Sequence, residues 1–128
     1  MRILLDTHMV LWWYAGDEQM SEAARALVGD HATTSFVSTV SVWEIAIKAR
    51  AGKLRDAVAL TRDLPVRLHS QGFPLLDITA AHAHRAGWLP GEHRDPFDRI
   101  LAAQALTENL PILSVDACFD DWGLRRLS

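Results

Sequence analysis

The chain contains a single cysteine, Cys118, so no disulfide can form within it. A lone thiol is typical of proteins kept in a reducing compartment, and we expect a cytoplasmic protein. The sequence also lacks the run of about eighteen apolar residues that a transmembrane helix requires. Asp6 interrupts the apolar N-terminus too early for a signal peptide. We therefore expect a protein with no membrane partner.

No glycine- or serine-rich linker, internal repeat or low-complexity tract divides the sequence, which favours one domain over residues 1–128. Neither sign of charge dominates, since 13 basic side chains face 16 acidic ones and the formal net charge is −3. This balance does not indicate a nucleic-acid-binding protein, because affinity for phosphate normally comes from a basic surface. A site that loads divalent cations would nevertheless cancel several acidic charges locally. Net charge alone therefore excludes no nucleic-acid enzyme.

Short apolar or β-branched segments alternate along the chain with segments of helical spacing. Strands are predicted at RILLD, TSFVST, FPLLDI and PILSVD, with a shorter fifth strand at WGLRRL. Helices are predicted at SEAARALVGD after Ser21, at SVWEIAIKARAGKL with Ser41 as N-cap, at DAVALTRDLPVRLHSQG with a bend or break at Pro65, at TAAHAHRAGWL and at HRDPFDRILAAQA. The alternation predicts an α/β sandwich around a mostly parallel sheet of four to five strands.

Four acidic residues occupy equivalent places in this pattern. Asp6 and Asp116 stand where apolar strands end, and Glu44 and Asp98 are predicted in the first turns of helices. Because the carboxyl ends of parallel strands share one edge of a sheet, we expect these four side chains to face the same rim.

Each acidic residue also has a purely structural interpretation. Ser41 and Glu44 match the S-x-x-E capping box of a helix N-terminus. Asp95 is a favoured N-cap before Pro96, and Asp98 then falls at the third helical position, near the positive end of the helix dipole. The two acids at the strand ends can start turns.

Taken together, the four acids indicate a metal site. A carboxylate flanked by apolar residues tends to be buried, and a buried charge is costly unless it is paired or bound to metal. Carboxylate oxygens are the ligands that Mg²⁺ and Mn²⁺ prefer. A cation held in this way can activate water and stabilise the leaving oxygen of a phosphodiester. The set therefore predicts a metal-dependent nuclease.

The segments LLDTHMVLWW, SVWEIAIKARAGKL, HRDPFDRILAAQA and ILSVD resemble the signature blocks of PIN domains, and more narrowly those of VapC-type toxins. The resemblance extends from Ile3 to Asp116. It implies a PIN-like three-layer α/β/α sandwich and a Mg²⁺- or Mn²⁺-dependent endoribonuclease that acts on RNA. It also implies a homodimer and inhibition by a cognate VapB-like antitoxin.

The resemblance also assigns residues. The family's metal-binding acids correspond to Asp6, Glu44, Asp98 and Asp116. Asp95 matches an additional acid of some members, so it is open whether it ligates a metal or only caps its helix. Small hydroxyl positions that line the site correspond to Thr7 and Ser114. Basic residues are ordinarily solvated, but some can hold RNA phosphates; the candidates are Lys48, Arg50, Lys53, Arg94 and Arg99.

Three alternatives stay open. The aromatic segment Leu11–Tyr14 is either a helix face packed on the core or part of a groove for an antitoxin segment. An aspartyl-phosphate protein, either a receiver domain or a phosphotransferase, would share the acidic rim. Such a site needs a late lysine, whereas no lysine follows Lys53, and His8 stands where the dehalogenase-like pattern has a second aspartate. The third alternative is a PIN domain that binds partners without catalysis.

Overall fold

The computed structural model describes residues 1–54, 62–92 and 95–128. Its sheet has the order β3-β2-β1-β4-β5, and every pairing between these strands is parallel. The strands are β1 (Arg2–Leu5), β2 (Thr34–Ser38), β3 (Leu75–Leu76), β4 (Ile112–Leu113) and β5 (Arg126–Leu127). The prediction of a parallel α/β sheet with four to five strands is confirmed, although β4 ends three residues before Asp116.

Helices connect the strands. They are α1 (Thr7–Ala15), α2 (Glu22–Gly29), α3 (Thr39–Arg50), α4 (Leu64–Ser70), α5 (Ala80–Trp88) and α6 (Pro96–Glu108), followed by a 3₁₀ helix at Ala117–Trp122. Residues 56–61 of the predicted helix DAVALTRDLPVRLHSQG lie outside the described residues, and Pro65 stands in the first turn of α4. None of the helices in the described part of the chain is long and apolar enough to cross a membrane.

Two apolar clusters place helices on both faces of the sheet. Ile3 and Leu5 of β1 belong to one cluster, which receives side chains from α1, α2 and α4. Leu4 points to the other, formed with α6 and the 3₁₀ helix. Successive side chains of a strand face opposite sides, so the buried Ile3, Leu4 and Leu5 of β1 lie between two helical layers. The three-layer α/β/α architecture is therefore confirmed.

The start of α3 differs from the prediction. Its N-cap is Ser38, whose Oγ accepts a hydrogen bond from the Val40 N–H at 3.0 Å, and the helix follows β2 without a loop. The predicted capping box of Ser41 and Glu44 is therefore wrong, and Glu44 lies in the second turn. The β-branched Thr39 favours a strand locally, but the Ser38 hydroxyl satisfies a backbone N–H that a helix start leaves free.

Candidate active site

A cleft of about 620 Å³ opens at the carboxyl edge of the sheet. Its wall includes five acidic side chains, namely Asp6, Glu44, Asp95, Asp98 and Asp116. Three basic side chains also line it, namely His8, Lys48 and Lys53. Residues from four separate segments of the chain thus meet in one cleft, as the sequence pattern predicted.

Asp6 is the most buried of these acids, with 5% of its surface exposed. It occupies the N-cap position of α1, yet its side chain makes no capping hydrogen bond. Its Oδ2 instead accepts a hydrogen bond from the Ser114 hydroxyl at 2.7 Å. Burial raises the pKa of Asp6, whereas this hydrogen bond and the nearby His8 lower it. The carboxylate therefore lies where a bound cation would stabilise its charge.

Ser114 joins two of the acidic segments. Its Oγ donates to Asp6 and accepts the backbone N–H of Asp116 at 3.0 Å. Asp116 in turn caps the 3₁₀ helix, where its Oδ1 accepts the Cys118 N–H at 2.9 Å. The fully buried Ser114 thus orients the ends of β1 and β4 relative to each other.

Thr7 lies next to the cleft but is not part of its wall. Its hydroxyl lies 2.8 Å from the Ser41 hydroxyl, and both residues are buried. This contact fixes the start of α1 against α3, the helix that carries Glu44. Thr7 is not among the residues that line the cleft, so we assign it a positioning role, not a place in the wall.

Glu44 has a basic partner that the sequence analysis did not identify. Lys48 Nζ lies 3.0 Å from Glu44 Oε2, one turn further along α3. The Glu44 side chain is 12% exposed and that of Lys48 is 28% exposed. Because an i,i+4 pair brings opposite charges together on a helix, Lys48 balances part of the acidic charge in the cleft.

Asp95 and Asp98 share the N-terminus of α6. Asp95 Oδ1 accepts the N–H groups of Phe97 and Asp98 at 2.9 and 3.3 Å. Asp95 therefore caps the helix, as its helix-cap interpretation predicted, and it also lines the cleft. Asp98 stands at the third helical position and lies at the positive end of the α6 dipole.

The donor set at one end of the cleft fits a divalent cation. Carboxylate oxygens of Asp98 and Asp116 and the Cys118 sulfur lie within 4.8 Å of one another. From the sequence, Cys118 indicated only a reducing compartment and not a place in the site. Burial, a hydrogen bond with Asp116 and the charge of Asp98 raise the pKa of its thiol. The thiol therefore stays protonated, and the two carboxylates are the groups suited to a hard cation.

Arg99 does not lie where the sequence analysis expected it. Its Nε donates to the Ala86 carbonyl at 3.0 Å, and its guanidinium also bonds the Leu89 carbonyl. The same group lies 5.8 Å from the centre of the Trp122 ring. Arg99 binds the C-terminal end of α5 and is not among the residues that line the cleft, and its role in holding substrate phosphate stays a prediction.

The remaining basic candidates differ in whether they line the cleft. Arg94 lies outside the described residues. Arg50 ends α3 and does not line the cleft, whereas Lys48 and Lys53 do. Lys53 is exposed.

The aromatic segment Leu11–Tyr14 is half-buried and packs against the apolar cluster on one face of the sheet. Trp13 and Tyr14 make edge contacts with the Phe73 ring, at 6.2 and 6.3 Å between ring centres. The packing interpretation of this segment therefore accounts for Trp13 and Tyr14.

The chain is similar in sequence to known proteins. The family model described as PIN domain matches residues 3–123. Ribonuclease VapC22 from Mycobacterium tuberculosis (strain ATCC 25618 / H37Rv) is 28% identical over 115 residues, which are 89% of this chain and 86% of that protein.

Solved structures share the fold at low identity. VapBC2 from Rickettsia felis, bound to a promoter DNA fragment, gives a TM-score of 0.73 at 16% identity over 99% of this chain and 98% of that one. FitAcB from Neisseria gonorrhoeae gives 0.71 at 18% identity, over 100% of this chain and 97% of that one. A toxin–antitoxin complex from Klebsiella pneumoniae gives 0.70 at 16% identity, over 98% and 96%.

Proposed function

The chain belongs to the PIN domain family, and from this membership we propose that it is a Mg²⁺- or Mn²⁺-dependent endoribonuclease. The observation that carries the proposal is the meeting of Asp6, Glu44, Asp98 and Asp116 in one cleft, although they come from four segments. Carboxylates gathered in this way repel one another. Lys48 balances part of this charge at Glu44, and a bound cation would offset the rest. The similarity to a ribonuclease over 89% of the chain supports RNA as the substrate.

The residues at the cleft would have different roles. Asp6, Glu44, Asp98 and Asp116 would hold the cation, which when bound would supply an activated water and stabilise charge on the phosphodiester. Ser114 orients the Asp6 carboxylate by its hydrogen bond. Lys53 is exposed at the cleft and is suited to pairing with an RNA phosphate. Asp95 keeps the first turn of α6 in place, and with it Asp98.

Cation binding can be tested by thermal unfolding with and without Mn²⁺. A ligand that binds only the folded state at about 100 times its Kd adds roughly 2.7 kcal/mol. Asp98→Asn should lose most of this shift, because it removes a charged ligand without changing side-chain size. The matched control is Asp121→Asn, since Asp121 is an exposed carboxylate of the 3₁₀ helix that does not line the cleft. An unchanged Tm of the wild type in Mn²⁺ would contradict the metal site.

Cleavage is tested on the same three proteins with end-labelled RNA in Mn²⁺ and in EDTA. The wild type and Asp121→Asn should cut internally in Mn²⁺ alone, and Asp98→Asn should not cut. If the wild type binds Mn²⁺ but leaves RNA intact, the chain is a non-catalytic PIN module instead.

The proposal extends to partners. Neighbouring structures described as VapBC2 and as a toxin–antitoxin complex support a role as the toxin of such a pair, inhibited by a VapB-like antitoxin. Expression of the chain in a bacterium should then arrest growth, and co-expression of its antitoxin should restore growth. Asp98→Asn, which lacks the charge, should not arrest growth, and its thermal unfolding curve checks that it is folded. A homodimer is part of the same proposal, and sedimentation of the purified chain measures it directly.

A further inference from the structure

A solvent-exposed tryptophan lies beside the acidic cleft. Trp43 of α3 is 59% exposed, and its ring lies 5.1 Å from that of Phe97 at an interplanar angle of 65°. Phe97 comes from α6 and lines the cleft next to Asp98. Ile47, one turn beyond Trp43, is 43% exposed and also lines the cleft.

Packing does not explain this position. Trp43 belongs to neither apolar cluster of the described core, whereas Phe97 and Ile45 both pack against one. An indole left mostly in water gives up the free energy that burial would provide, so its placement has a cost and little structural return. Exposure alone does not identify a ligand site, since Trp88 is 79% exposed as well. Trp43 differs from Trp88 because its ring contacts Phe97, which lines the cleft.

On the basis of the proposed ribonuclease function, we propose that Trp43, supported by Phe97, is a stacking platform for a nucleobase of single-stranded RNA next to the bond that is cut. Aromatic rings bind unpaired bases by stacking on their π-faces, which every base has. The acids of the cleft would lie at the scissile phosphate, and the exposed Lys53 of the same cleft is suited to a phosphate further along the strand.

The surroundings favour RNA over a second copy of the chain. The platform adjoins lysines and the acids of the cleft, and charged groups of this kind are depleted at the centre of a protein interface. Trp43 and Ile47 are exposed side chains of α3. Two such side chains cover far less than the roughly 800 Å² per partner that a stable dimer buries.

The test compares binding of a short oligouridylate with binding of the same ribose-phosphate chain without bases. Anisotropy is measured in an Asp98→Asn background, so that the RNA is not cut. Trp43→Ala should raise the Kd for oligouridylate by about tenfold and leave the Kd for the base-free chain unchanged. Trp43→Phe should retain most of the affinity. The matched control is Trp88→Ala, since Trp88 is 79% exposed at the end of α5, a helix that contributes no residue to the cleft, whereas α3 contributes Ile47.

Three results would overturn the platform. Trp43→Ala could bind both oligomers as the Asp98→Asn parent does, or lose affinity for both equally. Sedimentation could instead show that Trp43→Ala dissociates a dimer, which would assign the ring to a second copy. Failure of the platform and failure of the proposed function are distinguishable, because the Mn²⁺-induced shift in Tm and RNA cleavage by the wild type report only on the latter.

Discussion

Ser114→Ala removes the hydrogen bond that orients Asp6. The hydroxyl is fully buried and donates to the Asp6 carboxylate at 2.7 Å. A hydrogen bond to a charged group contributes about 1.5–3 kcal/mol. The second bond, from the backbone N–H of the exposed residue Asp116, is only partly buried, so water can replace it and it adds little. We therefore expect a loss of about 2 kcal/mol in the free energy of unfolding at neutral pH.

The loss should appear as a shift in Tm. Unfolding entropies of about 2.1 cal/mol/K per residue convert 1 kcal/mol into about 4 °C for a chain of 128 residues. Ser114→Ala should therefore melt about 8 °C below the wild type in EDTA. Its Kd for Mn²⁺ should rise by about tenfold or more, because groups that orient a ligand typically contribute that much to metal affinity.

Ser35→Ala is the matched control. Ser35 of β2 is 3% exposed, and its hydroxyl has no hydrogen-bond partner among the described residues. Its removal should leave Tm nearly unchanged or raise it, since no bond is lost. Thermal and urea unfolding of both variants, with Mn²⁺ titrations, measure the difference. Equal Tm values for Ser114→Ala and Ser35→Ala would refute the reasoning.

Three further predictions concern charge and capping. Burial raises the pKa of Asp6 above 3.8, so the native state holds this proton more tightly than the unfolded chain, and stability falls as pH rises from 3.8 to the raised value. Asp6→Asn should abolish cleavage and remove that fall in a series of melts against pH in EDTA; an unchanged pH profile would contradict the burial effect. Arg99→Met should lower the free energy of unfolding by about 1–2 kcal/mol, because carbonyls at the end of α5 lose a hydrogen-bond donor. It should keep the Mn²⁺-induced shift in Tm, and loss of that shift would indicate that Arg99 contributes to the metal site. Ser38→Ala should lower the free energy of unfolding by about 1 kcal/mol through loss of the α3 cap, and urea denaturation showing no change would place the cap elsewhere.

The parts of the structure that depend on neighbours in sequence were predictable. The apolar β1 and the capped helix after Asp95 follow from strand composition and from N-cap chemistry. The shared edge of Asp6 and Asp116 follows from the rule that parallel strands end on one side. The resemblance to a family then added the expectation of an RNA substrate and of an antitoxin, which no local pattern contains.

The remaining features depend on contacts between distant segments. Ser41 matches a helix cap locally, but the N-cap of α3 is Ser38, and the Ser41 hydroxyl contacts Thr7 of α1 instead. Arg99 could face either the cleft or the end of α5, and only the packing of α5 on α6 decided it.

The sequence by itself determined the alternation of strands and helices and the acids that end on one rim, because propensity and periodicity act within a few residues. Only the tertiary structure decided which hydroxyl binds Asp6 and which tryptophan remains exposed beside the cleft. The physical reason is that burial and hydrogen-bond partners are set by the packing of whole elements, so a side chain's environment is fixed only when distant segments meet.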